Sequence, residues 1–229
     1  MDPSEKYERP NFEYGTAGVG FVLAKLYQAT GEAKYLTAAE KAANYIDSIA
    51  VGNESGEGIL IPYRLPDLSH LFYLGYCHGP AGTARLYEAL YEITQKDHYK
   101  DQALRLARGV IEAEAPHVHS DGYWHIFTQC CGTASFIELF LTIDQQADSD
   151  IFKGKAFESG VKILSKANQV EEGVNWAQHW DRISVTDYSI DIGYFDGAAG
   201  IASALLHLYT SLNGEIVKIP MVDDTTFEI

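Results

Sequence analysis

Three cysteines are the residues of this chain best suited to chemistry, and their spacing is the first clue. Cys77 stands directly before the run His78-Gly79-Pro80-Ala81-Gly82, and Cys130-Cys131 directly before Gly132-Thr133-Ala134. A thiolate is both a nucleophile and a soft metal ligand. Three of them gathered at one point suit Zn²⁺, which binds sulfur in a tetrahedron. Three buried free thiols are the plainer alternative. His78 follows Cys77 and titrates near neutrality, so it is a candidate proton donor, with a fourth ligand as the other reading. His125 sits five residues before Cys130 in the aromatic run 123–127, where it serves either a cleft or the packing. His117 and His119 flank Val118 and read as a surface pair. Tyr14 and Asp196 precede two further glycine turns, and Asp196 is expected to cap a helix. Trp176, His179 and Trp180 read as a cleft wall or as buried aromatics.

Stepping from these residues to the elements that hold them, a fourfold repeat emerges. Tyr14-GTAGVGFVLAKLY, His78-GPAGTARLYEALY, Cys131-GTASFIELFLTI and Asp196-GAAGIASALLHLY share a glycine turn followed by an apolar run. Their first glycines, Gly15, Gly79, Gly132 and Gly197, are 64, 53 and 65 residues apart, which suits helical hairpins with sizeable loops. The apolar runs predict buried helices, and the turn glycines should leave helix N–H groups open and permit close backbone approach. More charged amphipathic helices are predicted over 32–49, 97–114 and 149–168. A buried helix paired with an amphipathic one predicts two layers: an all-α fold, a partial α/α toroid of four hairpins, spanning 1–229 as one domain. The inner helices of such a fold start at one end, which would bring Cys77, Cys130 and Cys131 together. The long loops 50–76, 115–129 and 169–195 should carry function. Short strands are expected at 59–62 and 123–127, and an extended closing segment at 215–229.

Composition narrows the function classes. Of 229 residues 46% are apolar, enough for a real core. The formal charge of −15 disfavours nucleic acid and phosphate-rich surfaces as partners. No run of 18 apolar residues is present, so no bilayer-spanning helix is expected. The opening MDPSEKYERP lacks the apolar stretch of a secretory signal. Adjacent cysteines make a strained disulfide and three is an odd count, so a reducing, cytoplasmic setting is expected. The glycine turns lack the lysine of a phosphate-binding loop. A carbohydrate enzyme would need paired carboxylates such as Asp187, Asp191 and Asp196, but would leave the cysteine blocks unexplained.

The segment Tyr76-Cys77-His78-Gly79-Pro80-Ala81-Gly82 resembles the "WCHGxPG" block of lanthionine synthetase C-like proteins, the lantibiotic cyclases and their relatives. Cys130-Cys131-Gly132 is similar to the family's "CHG" block, with Cys131 standing at the histidine. Tyr14 to Gly18 resembles "AHGxAG", and Gly193 to Ile201 the last repeat. The resemblance covers nearly the whole chain and implies a zinc enzyme with Cys77, Cys130 and Cys131 as ligands. It would add a peptide or small-molecule thiol to a dehydroamino acid, forming a thioether, with His78, Tyr14 and His125 as candidate catalytic residues. The alternative is an impaired, zinc-stabilised peptide- or thiol-binding module. Departures from the family pattern are Tyr14 in place of its histidine, Tyr73 near the place of its arginine, and four hairpins where the family has seven. Three readings stay open: a fragment, a truncated relative, or a chain completed by a homo-oligomer or by a second chain supplying the missing hairpins.

Overall fold

The computed structural model describes residues 6–52, 56–147, 149–178 and 188–214, with Met221 and Asp224. His179, Trp180 and Asp187 lie outside the described residues, as does most of the expected closing segment. Seven helices carry the described fold, and they divide between two compact units.

The first unit comprises Met1–Tyr73, Cys77–Glu112 and Pro220–Ile229. In it α1 (Thr16–Thr30) packs on α2 (Ala33–Ile49), α3 (Pro80–Thr94) packs on α4 (Asp97–Glu112), and α1 also meets α3. The periodicity of the amphipathic helices explains these pairs. In α4 the buried residues Tyr99, Ala103, Leu106 and Val110 recur every three or four positions, and in α2 Ala39, Ala43 and Ile46 do the same. Helix α1 ends at Gly31, whose left-handed backbone (φ 70°) turns the chain while its N–H bonds the Tyr27 carbonyl at 2.8 Å. Tyr87 of α3 donates to Asp47 of α2 at 2.7 Å. Buried Arg85 of α3 lies over the rings of Phe12 and Phe21 and pairs with Asp224, so this point near the C-terminus is tied to α3. Strand β1 (Val51–Gly52) pairs antiparallel with β2 (Ile59–Leu60), so the strand expected at 59–62 forms over its first two residues only.

The second unit comprises Leu74–Tyr76 and Ala113–Ile219. Helix α5 (Ala134–Asp144) packs on α6 (Ile151–Leu164) and on α7 (Ala198–Leu212). Phe136, Ile137 and Phe140 of α5 are fully buried. Helices α6 and α7 meet at Gly160, where a Cβ would come 2.4 Å from Leu208. The helix expected over 149–168 stops at Leu164 instead. There the chain leaves for a hairpin of β3 (Asn168–Val170) and β4 (Gly173–Asn175), whose turn closes at Gly173 with φ 153°. The run 123–127 forms no strand, making only an isolated bridge between Tyr123 and Ser120, because Tyr123, Ile126 and Phe127 are drawn into the core instead.

Burial nearly all round is realised in α3 and α5 but not in α1 and α7. Val19 and Val22 of α1 stay exposed, as do Leu206, Tyr209 and Leu212 of α7.

Candidate metal centre and surrounding groups

Three of the glycine turns, those before α1, α5 and α7, share one local construction. In α5, Thr133 N–H bonds the carbonyl of Ile126 (3.2 Å) and Ala134 N–H that of Phe127 (3.1 Å). The same seven-residue offset recurs at α1 (Thr16 to Arg9, Ala17 to Pro10) and at α7 (Ala198 to Asp191, Ala199 to Ile192). The preceding loop therefore fills the helix N–H groups with its own carbonyls, correcting the expectation that they stand open. No side-chain cap is needed, and Asp196 makes none. The glycines are required by contact: a Cβ on Gly132 would lie 2.4 Å from the Ile126 carbonyl oxygen.

In the second unit this construction presents two thiols side by side. Cys130 and Cys131 are partly buried, and the Cys131 thiol donates to the Cys130 sulfur at 3.3 Å, with no disulfide between them. Cys130 N–H bonds the Phe195 carbonyl at 2.8 Å. Gly75 lies so close to Cys131 that a Cβ there would meet its backbone carbon at 2.8 Å. The ring of Tyr76, next in the chain, packs against Phe195 with centroids 5.7 Å apart. Partial burial raises the Asp196 carboxyl above its ordinary value, and the neighbouring Cys130 and Asp191 add to the rise.

In the first unit Cys77 is buried, and its carbonyl accepts the Glu13 N–H at 2.7 Å. The Cys77 thiol, the His78 imidazole and the Glu13 carboxylate each place a donor atom within 4.8 Å of the others. His78 Nε2 stands 3.7 Å from Glu13 Oε2, and its ring is flanked by Tyr63 and Tyr73 at 5.0 and 5.9 Å. Tyr73, noted as the place where the family has arginine, is thus a neighbour of His78. Tyr14 takes a left-handed backbone (φ 56°) and leaves 78% of its surface exposed.

The remaining histidines sort by their neighbours. His125 is exposed, its ring 3.8 Å from that of His119, which stacks on Tyr123. Burial pushes the His119 imidazole below its usual range, with His125 and Lys162 contributing. His117 pairs with Glu158 at 3.3 Å. Trp176 is buried, its Nε1–H donating to the Ile163 carbonyl at 2.9 Å, so it is core. Sequence reasoning passed over Glu13, although it stands beside Tyr14 in the first block, and Gly75, two residues before a cysteine.

The donor chemistry fits zinc. A tetrahedral zinc with sulfur at about 2.3 Å needs sulfur pairs about 3.8 Å apart, within about half an ångström of the Cys130–Cys131 separation.

A family model described as "Lanthionine synthetase C-like protein" matches residues 11–221. No curated protein matches in sequence. Among solved structures, "Nisin cyclase" aligns at TM-score 0.64 and 17% identity, covering 93% of this chain and 49% of that one. The Lin0763 protein from Listeria innocua aligns at TM-score 0.59 and 17% identity, covering 90% of this chain and 56% of that one. At such identity the likeness speaks for the fold alone, which is mostly helical and of the partial LanC-like toroid class. The chain spans about half the length of both structures.

Proposed function

Because the chain belongs to the lanthionine synthetase C-like family, we propose that it is a zinc-dependent enzyme adding a peptide or small-molecule thiol to a dehydroamino acid. The proposed zinc ligands are Cys77, Cys130 and Cys131. One observation carries the reading: two thiols stand 3.3 Å apart at the start of α5, with Gly75 seated on the backbone of one of them. Cys77 follows Gly75 by two residues, so covalent geometry keeps its Cα within about 7 Å of the Cα of Gly75. Zinc bound there would hold a substrate thiol as the thiolate, which is otherwise a minor species near neutral pH for a pKa of about 8.5. The reaction forms one bond from that sulfur to the β-carbon of a dehydroalanine or dehydrobutyrine. The former double-bond pair moves to the α-carbon, which takes up a proton, and a thioether results. His78 is the proposed proton source, steadied by Glu13 and by the rings of Tyr63 and Tyr73. Tyr14 and His125 are secondary candidates for contacting the substrate. Asp196, whose carboxyl is raised above its ordinary value by burial, stands beside Cys130.

The partners in this reading are the peptide or thiol substrate and a second polypeptide, either another copy or a chain supplying further hairpins. The apolar residues left exposed on α1 and α7 support that second part. Among the described residues no helix is long and apolar enough to cross a membrane. A cytoplasmic location is proposed from the odd count of cysteines and the adjacency of two of them.

The test is thioether formation by the purified protein from N-acetylcysteine and a dehydroalanine peptide, followed by mass spectrometry. Wild type should form product with zinc and lose it with Cys130→Ala. A wild-type rate equal to the uncatalysed rate would reject the enzyme reading. One observation favours the second reading, a zinc-stabilised peptide- or thiol-binding module. Tyr14, at the place of the family's histidine, is 78% exposed. In that case the metal would be closed by four protein ligands.

A further inference from the structure

Behind the Cys130–Cys131 turn lie three buried polar side chains that the chemistry above does not use. Gln129 is fully buried, and Glu138 of α5 and His207 of α7 are 8% and 7% exposed. His207 Nδ1 hydrogen-bonds Glu138 Oε2 at 2.7 Å. Gln129 Nε2 donates to Glu138 Oε1 at 3.3 Å and to the Gly200 carbonyl at 3.4 Å. A carboxylate among Phe136, Ile137 and Phe140 is costly to bury unless hydrogen-bonded, so the bonds it makes are what keep it there.

We propose that Gln129, Glu138 and His207 form a positioning relay that fixes where Cys130 and Cys131 hold their thiols. The inference rests on the zinc reading only for the use to which the thiols are put. Gln129 immediately precedes Cys130, so the placement of its side chain sets the start of the turn. That side chain is held by its amide nitrogen alone, because Gln129 Oε1 has no hydrogen-bond partner among the described residues. Cys130 N–H is anchored separately on the Phe195 carbonyl, in the segment leading into α7. The turn is thus registered on both α5 and α7. Two donors converge on Glu138, the Gln129 amide and the His207 ring. A carboxylate accepts both, whereas glutamine accepts one and presents a donor to the other. Glu138→Gln therefore keeps the shape but must either release one partner or turn the His207 ring to the tautomer whose Nδ1 accepts, so the pattern of donors at the relay changes either way. Groups that orient metal ligands in this way typically change metal affinity by about 10–100-fold when lost.

The experiment compares wild type, Glu138→Gln and Gln129→Met, the last of which removes the amide but leaves the Glu138–His207 bond. Zinc affinity is read by competition with a chelating dye, and Co²⁺-substituted protein gives the thiolate charge-transfer spectrum. In zinc-free protein the iodoacetamide alkylation rates of Cys77, Cys130 and Cys131 are read by mass spectrometry. We expect both variants to keep native circular dichroism. Zinc affinity should fall about tenfold or more, the cobalt spectrum should change, and the Cys130 to Cys131 alkylation ratio should shift while Cys77 is unaltered. If Glu138→Gln fails to fold, Gln129→Met decides alone. A lower melting temperature with unchanged affinity, spectrum and alkylation ratio would overturn the relay and leave a plain structural link between α5 and α7. If wild type binds no zinc but the variants still shift the alkylation ratio, the relay stands and the zinc reading is rejected.

Discussion

Gly75→Ala should disturb the proposed centre through a single added methyl. A Cβ at Gly75 would sit 2.8 Å from the Cys131 Cα and carbonyl carbon and 2.9 Å from its oxygen. Ordinary contact begins near 3.4 Å, so either backbone must yield by about 0.6 Å. The atoms in the way are main chain, so no flexible side-chain end can swing aside. Overpacking of this kind costs about 1–3 kcal/mol. For a chain of this size about 2–4 °C of melting temperature is lost per kcal/mol, which places the loss at about 2–12 °C. The displaced Cys131 should also release zinc faster to a chelator. Gly154→Ala is the control: nothing lies within 4 Å of its added Cβ, and alanine in a helix interior gains about 1 kcal/mol over glycine. Calorimetry with a zinc-release assay reads both effects. If Gly75→Ala melts and releases zinc like wild type, the seating of this segment on Cys131 is refuted.

Phe140→Ala, which empties a fully buried site in α5, should cost about 3–5 kcal/mol, checked by denaturant titration. The His119 imidazole is held below 6.5 in the fold, so the unfolded chain binds the proton first. Stability should therefore fall as pH drops below 6.5, down to the folded value, and His119→Gln should flatten that part of a melting-temperature profile. A proton NMR titration placing His119 at or above 6.5 would remove the basis for this. Light scattering should show concentration-dependent association that Leu206→Lys with Tyr209→Lys weakens, since both side chains are exposed on α7. A monomer at every concentration would count against the second-polypeptide proposal.

Much of the helical framework was readable because its signals are local. The glycine turns mark the starts of α1, α3, α5 and α7, and the charged faces mark α2, α4 and α6. Helix α6 ended four residues early because the Asn168–Val170 and Gly173–Asn175 hairpin depends on cross-strand pairing that a helical period does not report. The run 123–127 has strand composition, yet Tyr123 and Phe127 spend it on core packing. The exposure of α1 and α7 could not be read from their apolar content, because burial depends on which neighbours surround a helix. The cysteines announced themselves by type. The groups beside them did not: Gly75 matters through a backbone approach, and Glu13 through its place beside His78. Glu138 and His207 were visible as polar residues within apolar runs, but only tertiary structure pairs them across 69 positions.

Metal analysis of the purified protein, with X-ray absorption at the zinc edge, tests the central claim most directly. The account predicts about one zinc per chain, three sulfur ligands and one exchangeable light-atom ligand. Most of the metal should be lost with Ala at Cys77, Cys130 or Cys131 and retained in His78→Ala. Less than about half an equivalent of zinc, with all three thiols freely titratable, would contradict it.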